Sequence, residues 1–121
     1  MAAARFQMFQ PATDRVRWRF LSANNRSIAR SVHDFADAYG CLLSLRELIA
    51  DLEAAHVVTI RTGQGLWNWQ LRAGSAALAV SSRQYQRRIR AHKAGCGFQD
   101  LARKAGDVSD LRLVSFERHS A

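Results

Sequence analysis

Apolar and polar residues alternate with a period of two in two separate stretches of the chain. Arg15-Val16-Arg17-Trp18-Arg19-Phe20 puts Val16, Trp18 and Phe20 on one side and three arginines on the other. Trp67-Asn68-Trp69-Gln70-Leu71-Arg72 repeats the alternation, with Trp67, Trp69 and Leu71 inward. Successive side chains of a strand point to opposite faces, so both stretches are predicted to be half-buried strands. Each runs into residues that accept positive φ, Asn24-Asn25 and Gly74-Ser75, so residues 27–31 and 77–81 are expected to return as hairpin partners. Upstream, residues 5–9 and 57–61 are short β-prone runs that end before the polar turns 11–14 and 62–65.

The period then changes to three and four. Cys41, Leu42, Leu45, Leu48, Ile49 and Leu52 recur at helical spacing, with Arg46, Glu47, Asp51 and Glu53 elsewhere around the cylinder. Ser31-Val32-His33-Asp34 reads as a capping box ahead of this helix, and Asp34 and Asp37 suit the positive end of its dipole. A second helix is expected over about 84–104, with a stripe of Ala91, Ala94, Phe98, Leu101, Ala102 and Ala105, and with Tyr85, Ile89 and Cys96 on its far side. Gly95 and Gly97 each cost about 1 kcal/mol in a helix interior, which points to a bend or a close contact there. Residues 111–118 form a final strand.

The order β-β-β-α, β-β-β-α, β contains the same unit twice. Trp18, Phe20, Ala23, Ile28, Ser31 and Phe35 return as Trp69, Leu71, Ala73, Leu78, Ser81 and Tyr85, at an offset of 51 through the tryptophan strand and 50 after it. One residue is therefore lost in the intervening turn. A repeated unit this short needs its neighbour to bury its apolar face. We expect one domain over residues 1–121, made of repeats at about 4–56 and 57–118. The absence of βαβ alternation favours an α+β fold, an antiparallel sheet with both helices packed on one face.

This pattern resembles the YegP-like family, whose repeat reads approximately Trp-Arg-Leu, Ala-x-Asn-Gly, an aliphatic strand, then Ser-x-x-Tyr leading into a helix. Trp18-Arg19-Phe20, Ala23-Asn24-Asn25, Ile28, Ser31 and Phe35 match in the first copy. Trp69-Gln70-Leu71, Ala73-Gly74-Ser75, Leu78, Ser82 and Tyr85 match in the second. The resemblance implies a β3-α-β unit used as a tandem repeat or a dimer, with C-terminal strands exchanged between units; here these would be 57–61 and 111–118. It implies a fold and no mechanism. A monomer with pseudo-twofold symmetry and a homodimer both fit it.

Composition adds a charge asymmetry. The 121 residues carry a net charge of +8. Residues 1–56 hold seven Lys/Arg against six Asp/Glu, and residues 57–121 hold eleven against four. Such an excess bears on attraction to polyanions rather than on fold. No stretch approaches the ~20 apolar residues of a membrane span, and the start of the chain lacks the apolar run of a signal peptide. A soluble cytoplasmic protein is expected, with Cys41 and Cys96 as small buried thiols at nearly equivalent places in the two helices.

Catalytic and metal chemistry find little support. His33, His56, His92 and His119 are scattered without ligand spacing, so no metal is expected. Gly63-Gln64-Gly65 precedes a strand rather than a helix and reads as a hairpin turn, not a nucleotide fingerprint. No cofactor is expected. His92 and Cys96 share a helix face at i, i+4, the one pair from which an enzyme with a pocket between the repeats would be built. Two groups of cations remain as candidates for an anionic partner. One is Arg83, Arg87, Arg88, Arg90 and Lys93 around the start of the second helix, where cations oppose the helix dipole. The other is the strand face of Arg15, Arg17 and Arg19. The expected protein is thus a non-enzymatic binding or structural module whose basic second repeat meets nucleic acid or an acidic protein; a merely solvated helix face is the alternative.

Overall fold

The computed structural model describes residues 3–105 and the backbone of 113–115. Its first three strands are β1 (Arg5–Ala12), β2 (Arg15–Leu21) and β3 (Ser27–Arg30), followed by helix α1 (Ala38–Asp51) and a single 3-10 turn, Leu52–Ala54. Then come β4 (His56–Arg61), β5 (Trp67–Ala73), β6 (Ala76–Ser81), helix α2 (Arg88–Ala105) and β7 (Leu113–Ser115). The chain is an α+β protein in which one sheet runs in the order β4-β5-β6-β3-β2-β1-β7. Six strands pair antiparallel, and β7 adds to the edge by pairing parallel with β1. The rest of the strand expected over 111–118 lies outside the described residues.

The hairpins form where the turn chemistry placed them. Asn25 and Gly74 both take positive φ, 66° and 60°. Gly65 does so at 80° in the β4–β5 hairpin, where the Thr62 amide donates to Leu66 O at 2.7 Å. Both hairpins after the tryptophan strands carry a bulge at matching places, between Phe20 and Leu21 and between Leu71 and Arg72. At the seam β3 pairs with β6, and Arg30 stands opposite Val80, its own counterpart at the offset of 50.

The same contacts recur in both halves. The Trp18 amide donates to the buried Ser31 hydroxyl, and the Trp69 amide to that of Ser81, each at 3.3 Å. Val16 bridges to Phe35, and Trp67 to Tyr85. These bonds correct two readings. Ser31 is no helix cap, because its oxygen is turned inward to a strand amide and α1 begins seven residues later; Asp37 is the cap, accepting from the Gly40 amide at 2.8 Å. The serine equivalent to Ser31 is Ser81, not Ser82, which instead meets Ser27 across the seam with the two hydroxyl oxygens 2.8 Å apart.

One face of the sheet and both helices share a single core. Cys41, Leu45, Leu48 and Leu52 of the first half are matched 50 residues on by Ala91, Gly95, Phe98 and Ala102, all buried. Phe98 joins the halves: it stacks on Trp69 at 5.3 Å between centroids and meets Phe20 edge-on at 5.2 Å. Each fully buried large side chain of this kind contributes roughly 1.5–3 kcal/mol. The core counterpart of Cys41 is therefore Ala91. Cys96 lies elsewhere on its helix and is half-buried, which corrects the expected equivalence of the cysteines.

Candidate anion-binding surface

The eight candidate cations fall into two groups, kept apart by the sheet order: β6 and β3 stand between β5 and β2. Arg15, Arg17 and Arg19 lie on β2 and are largely satisfied within the chain. Arg17 makes a forked pair with Asp34, Nε to Oδ1 at 2.7 Å and Nη2 to Oδ2 at 3.0 Å, and Arg15 reaches the same carboxylate at 3.6 Å. The hydrogen bond from Arg17 holds the Asp34 carboxyl below the usual aspartate range; it outweighs the opposing cost of burial, and the charges of Arg17 and Arg15 add to it. Arg19 donates to Gln7 Oε1 at 2.7 Å, and its guanidinium lies 4.7 Å from the centroid of the Phe9 ring. Burial first, then the charge of Arg5, lowers its pKa. Asp34 is thus an ion-pair partner on the strand layer and not the helix-dipole residue that its position suggests.

The second group is different. Arg83, Arg87 and Arg90, with Gln84, Tyr85 and Gln86, line an open cleft of about 650 Å³ at the start of α2. Arg83 lies over the Tyr85 ring at 5.4 Å. Arg88 turns away to donate to Thr59 Oγ1 at 3.1 Å, and with Ile89 and His92 lines a separate cleft of about 370 Å³. Lys93 is exposed on the next turn. Among the described residues no carboxylate lies within ion-pair distance of any of these five cations.

The contrast between the halves is in the acids. At the offset of 50, Asp34 corresponds to Gln84 and the cap residue Asp37 to Arg87. A guanidinium has donors only and cannot cap a helix start. The Arg90 amide instead turns to the backbone carbonyl of Arg87 at 3.1 Å. The first half therefore neutralises its cations at this end, and the second half replaces both acids and adds arginines.

Tyr85, expected on the far side of the second helix, instead lies ahead of α2 in the cleft wall; Trp67 pairs with it through the backbone, and Arg61 lies beside Trp67. Trp67 is on the same face of β5 as the buried Trp69 but is only half-buried, with the Arg61 guanidinium 5.9 Å from its ring centroid. Its counterpart Val16 is 3% exposed. The signal was present in the hairpin, whose short loop sets Arg61 directly opposite Trp67.

The remaining chemistry is sparse. Cys96 Sγ lies 3.9 Å from both ring nitrogens of His92, at the long end of a contact to sulfur. Burial pushes the Cys41 thiol up to about 12. Among the described residues no three His, Cys, Asp or Glu side chains group as metal ligands, and no helix is long and apolar enough to cross a membrane.

With this geometry in hand, comparison with known proteins bears on the fold. No protein-family profile matches the chain, and no curated protein matches it in sequence. The solution structure of a UPF0339 protein from Shewanella oneidensis superposes over 97% of this chain and 96% of its own, with a TM-score of 0.72 and 11% identity. The solution structure of yegP from E. coli, a protein of unknown function, covers 96% of this chain and 95% of its own, with a TM-score of 0.61 and 13% identity. The fold is that of the YegP-like proteins. At these identities the likeness concerns the path of the backbone, and the arginine cleft is a property of this chain's own residues.

Proposed function

We propose that this protein is a non-enzymatic binding module that takes an anionic macromolecule at the start of α2. The observation that carries the proposal is the exchange of acids between the halves: Gln84 and Arg87 stand where the first half has Asp34 and Asp37, so that Arg83, Arg87 and Arg90 line a cleft with no balancing carboxylate among the described residues. Cations crowded at a helix start work against its dipole and against each other, and an anionic partner relieves both. Cytoplasmic placement agrees with two unpaired cysteines, one of them fully buried.

Titration of a labelled anionic polymer at increasing salt tests this reading. Each cation that contacts a phosphate contributes roughly 0.7–0.9 to the slope of log affinity against log salt. The Arg83/Arg87/Arg90→Ala variant should bind weakly and lose about 2 from that slope. Affinity that does not respond to salt, or that survives this substitution, rejects the reading.

A further inference from the structure

Resting on that reading, we infer that the anionic partner is a single-stranded nucleic acid, its phosphates on the arginines of the cleft and its bases against Tyr85 and Trp67. Aromatic rings stand among the cations. Tyr85 lines the cleft between Arg83 and Arg87, and Trp67 is tied to it by two backbone hydrogen bonds, Trp67 N to Tyr85 O at 2.7 Å and Tyr85 N to Trp67 O at 2.8 Å. The two residues are thus cross-strand neighbours at an isolated bridge of the sheet. Each is accompanied by an arginine, Arg83 over Tyr85 and Arg61 over Trp67, and both arginines are exposed. A guanidinium in that position is free to move onto a phosphate while a base takes its place on the ring.

The equivalent place in the first half shows what is special here. There the pair is Val16 and Phe35, with Asp34 beside it instead of Gln84, and Val16 is buried. The second half has a larger, only half-buried ring at this position, with positive charge beside it. Alternating cations and aromatic faces are what an unpaired strand requires, because every base offers a π-face and every linkage a charge. A duplex keeps its base faces inside the stack, and polyphosphate or an acidic peptide offers charge without them. Gln84 and Gln86 add amide groups beside Tyr85 that match base edges.

The test uses the whole chain and fluorescence anisotropy with a labelled mixed-sequence single strand about 20 nucleotides long, as DNA and as RNA, its duplex, and inorganic polyphosphate as competitor. The single strand should bind tightest, and Tyr85→Ala or Trp67→Ala should weaken it by roughly 5- to 150-fold. Neither variant should change competition by polyphosphate. Tyr85→Phe, which keeps the ring, should bind like the parent, and this separates stacking from loss of folding. Trp18 and Trp69 are fully buried, so quenching of tryptophan emission by unlabelled strand reports Trp67 in the unaltered protein. Equal affinity for polyphosphate or for duplex, with no quenching, overturns this inference and leaves the anionic-partner reading standing. Absence of binding to every polymer at low salt overturns both. A preference between DNA and RNA assigns the source of the strand, since the 2′-hydroxyl is the group that differs.

Discussion

Asp34 shows how one residue decides what its neighbours can do. Its carboxylate is about a quarter exposed and takes both donors of the Arg17 fork together with Arg15, so the first-half arginines are occupied before any partner arrives. Because the folded protein holds this carboxyl below the usual aspartate value, the unfolded chain takes up its proton first as pH falls. The stabilisation is therefore whole above about pH 4 and is lost below it. Asp34→Asn should cost up to about 1 kcal/mol at pH 7, the range of a partly exposed ion pair, and much less at pH 3. Urea midpoints of both proteins at the two pH values check this, and an equal difference at both values would show that the pair does not stabilise the fold. The indole N–H groups of Trp18 and Trp69 follow a different rule: both are buried without an acceptor among the described residues, the same arrangement in each half. Donors left in that state cost about 1–3 kcal/mol each, which the ring packing must outweigh.

At the scale of elements, the two helices solve one packing problem in opposite ways. Where α1 fills the space above the sheet with Leu45, α2 has Gly95, and the side chains of Val57 and Trp69 close against it. A Cβ on Gly95 would lie 2.6 Å from Val57 Cγ1 and 3.0 Å from Trp69 Cγ. Gly97, two residues on and facing the other side of the helix, has none of the described residues within 4 Å of such an atom. Gly95→Ala should therefore destabilise the protein by about 1–3 kcal/mol despite the better helix former, and Gly97→Ala should stabilise it by about 0.5–1 kcal/mol. Thermal unfolding followed by circular dichroism separates the two, and a gain at both positions would show that α2 does not rest on the tryptophan strand. The sequence offered a bend or a close contact at these glycines, since their cost in a helix called for a reason, and the contact lies at Gly95 alone. It did not reveal that the neighbour is the sheet, because Val57 and Trp69 are remote in the chain. The strands, hairpins and α1 were legible because alternation, turn residues and helical spacing are local. The Arg17–Asp34 pair, the inward Ser31 and the exposure of Trp67 were not, because each depends on which strand or segment arrives alongside.

Over the whole molecule, the two halves differ most where α1 and α2 begin, and that difference sets stability against binding. Asp37 caps α1 through the Gly40 amide, while the corresponding Arg87 leaves the Arg90 amide to a backbone carbonyl and adds a cation to the unfavourable end of the dipole. A protein under selection for stability alone has no use for that arrangement, whereas a surface that must attract an anion does. Arg87→Asp gives α2 the residue that α1 uses. It should raise stability by about 1 kcal/mol, the typical worth of a side-chain cap, and at the same time abolish affinity for an anionic polymer by placing a carboxylate in the cleft. Arg87→Ala removes the cation without supplying a cap, so it should weaken binding while gaining little stability. Measured together, unfolding free energy and affinity should move in opposite directions from the parent through Ala to Asp. If Arg87→Asp stabilises the protein and leaves binding untouched, the cleft is not where the partner sits. If it does neither, the start of α2 is not built like the start of α1.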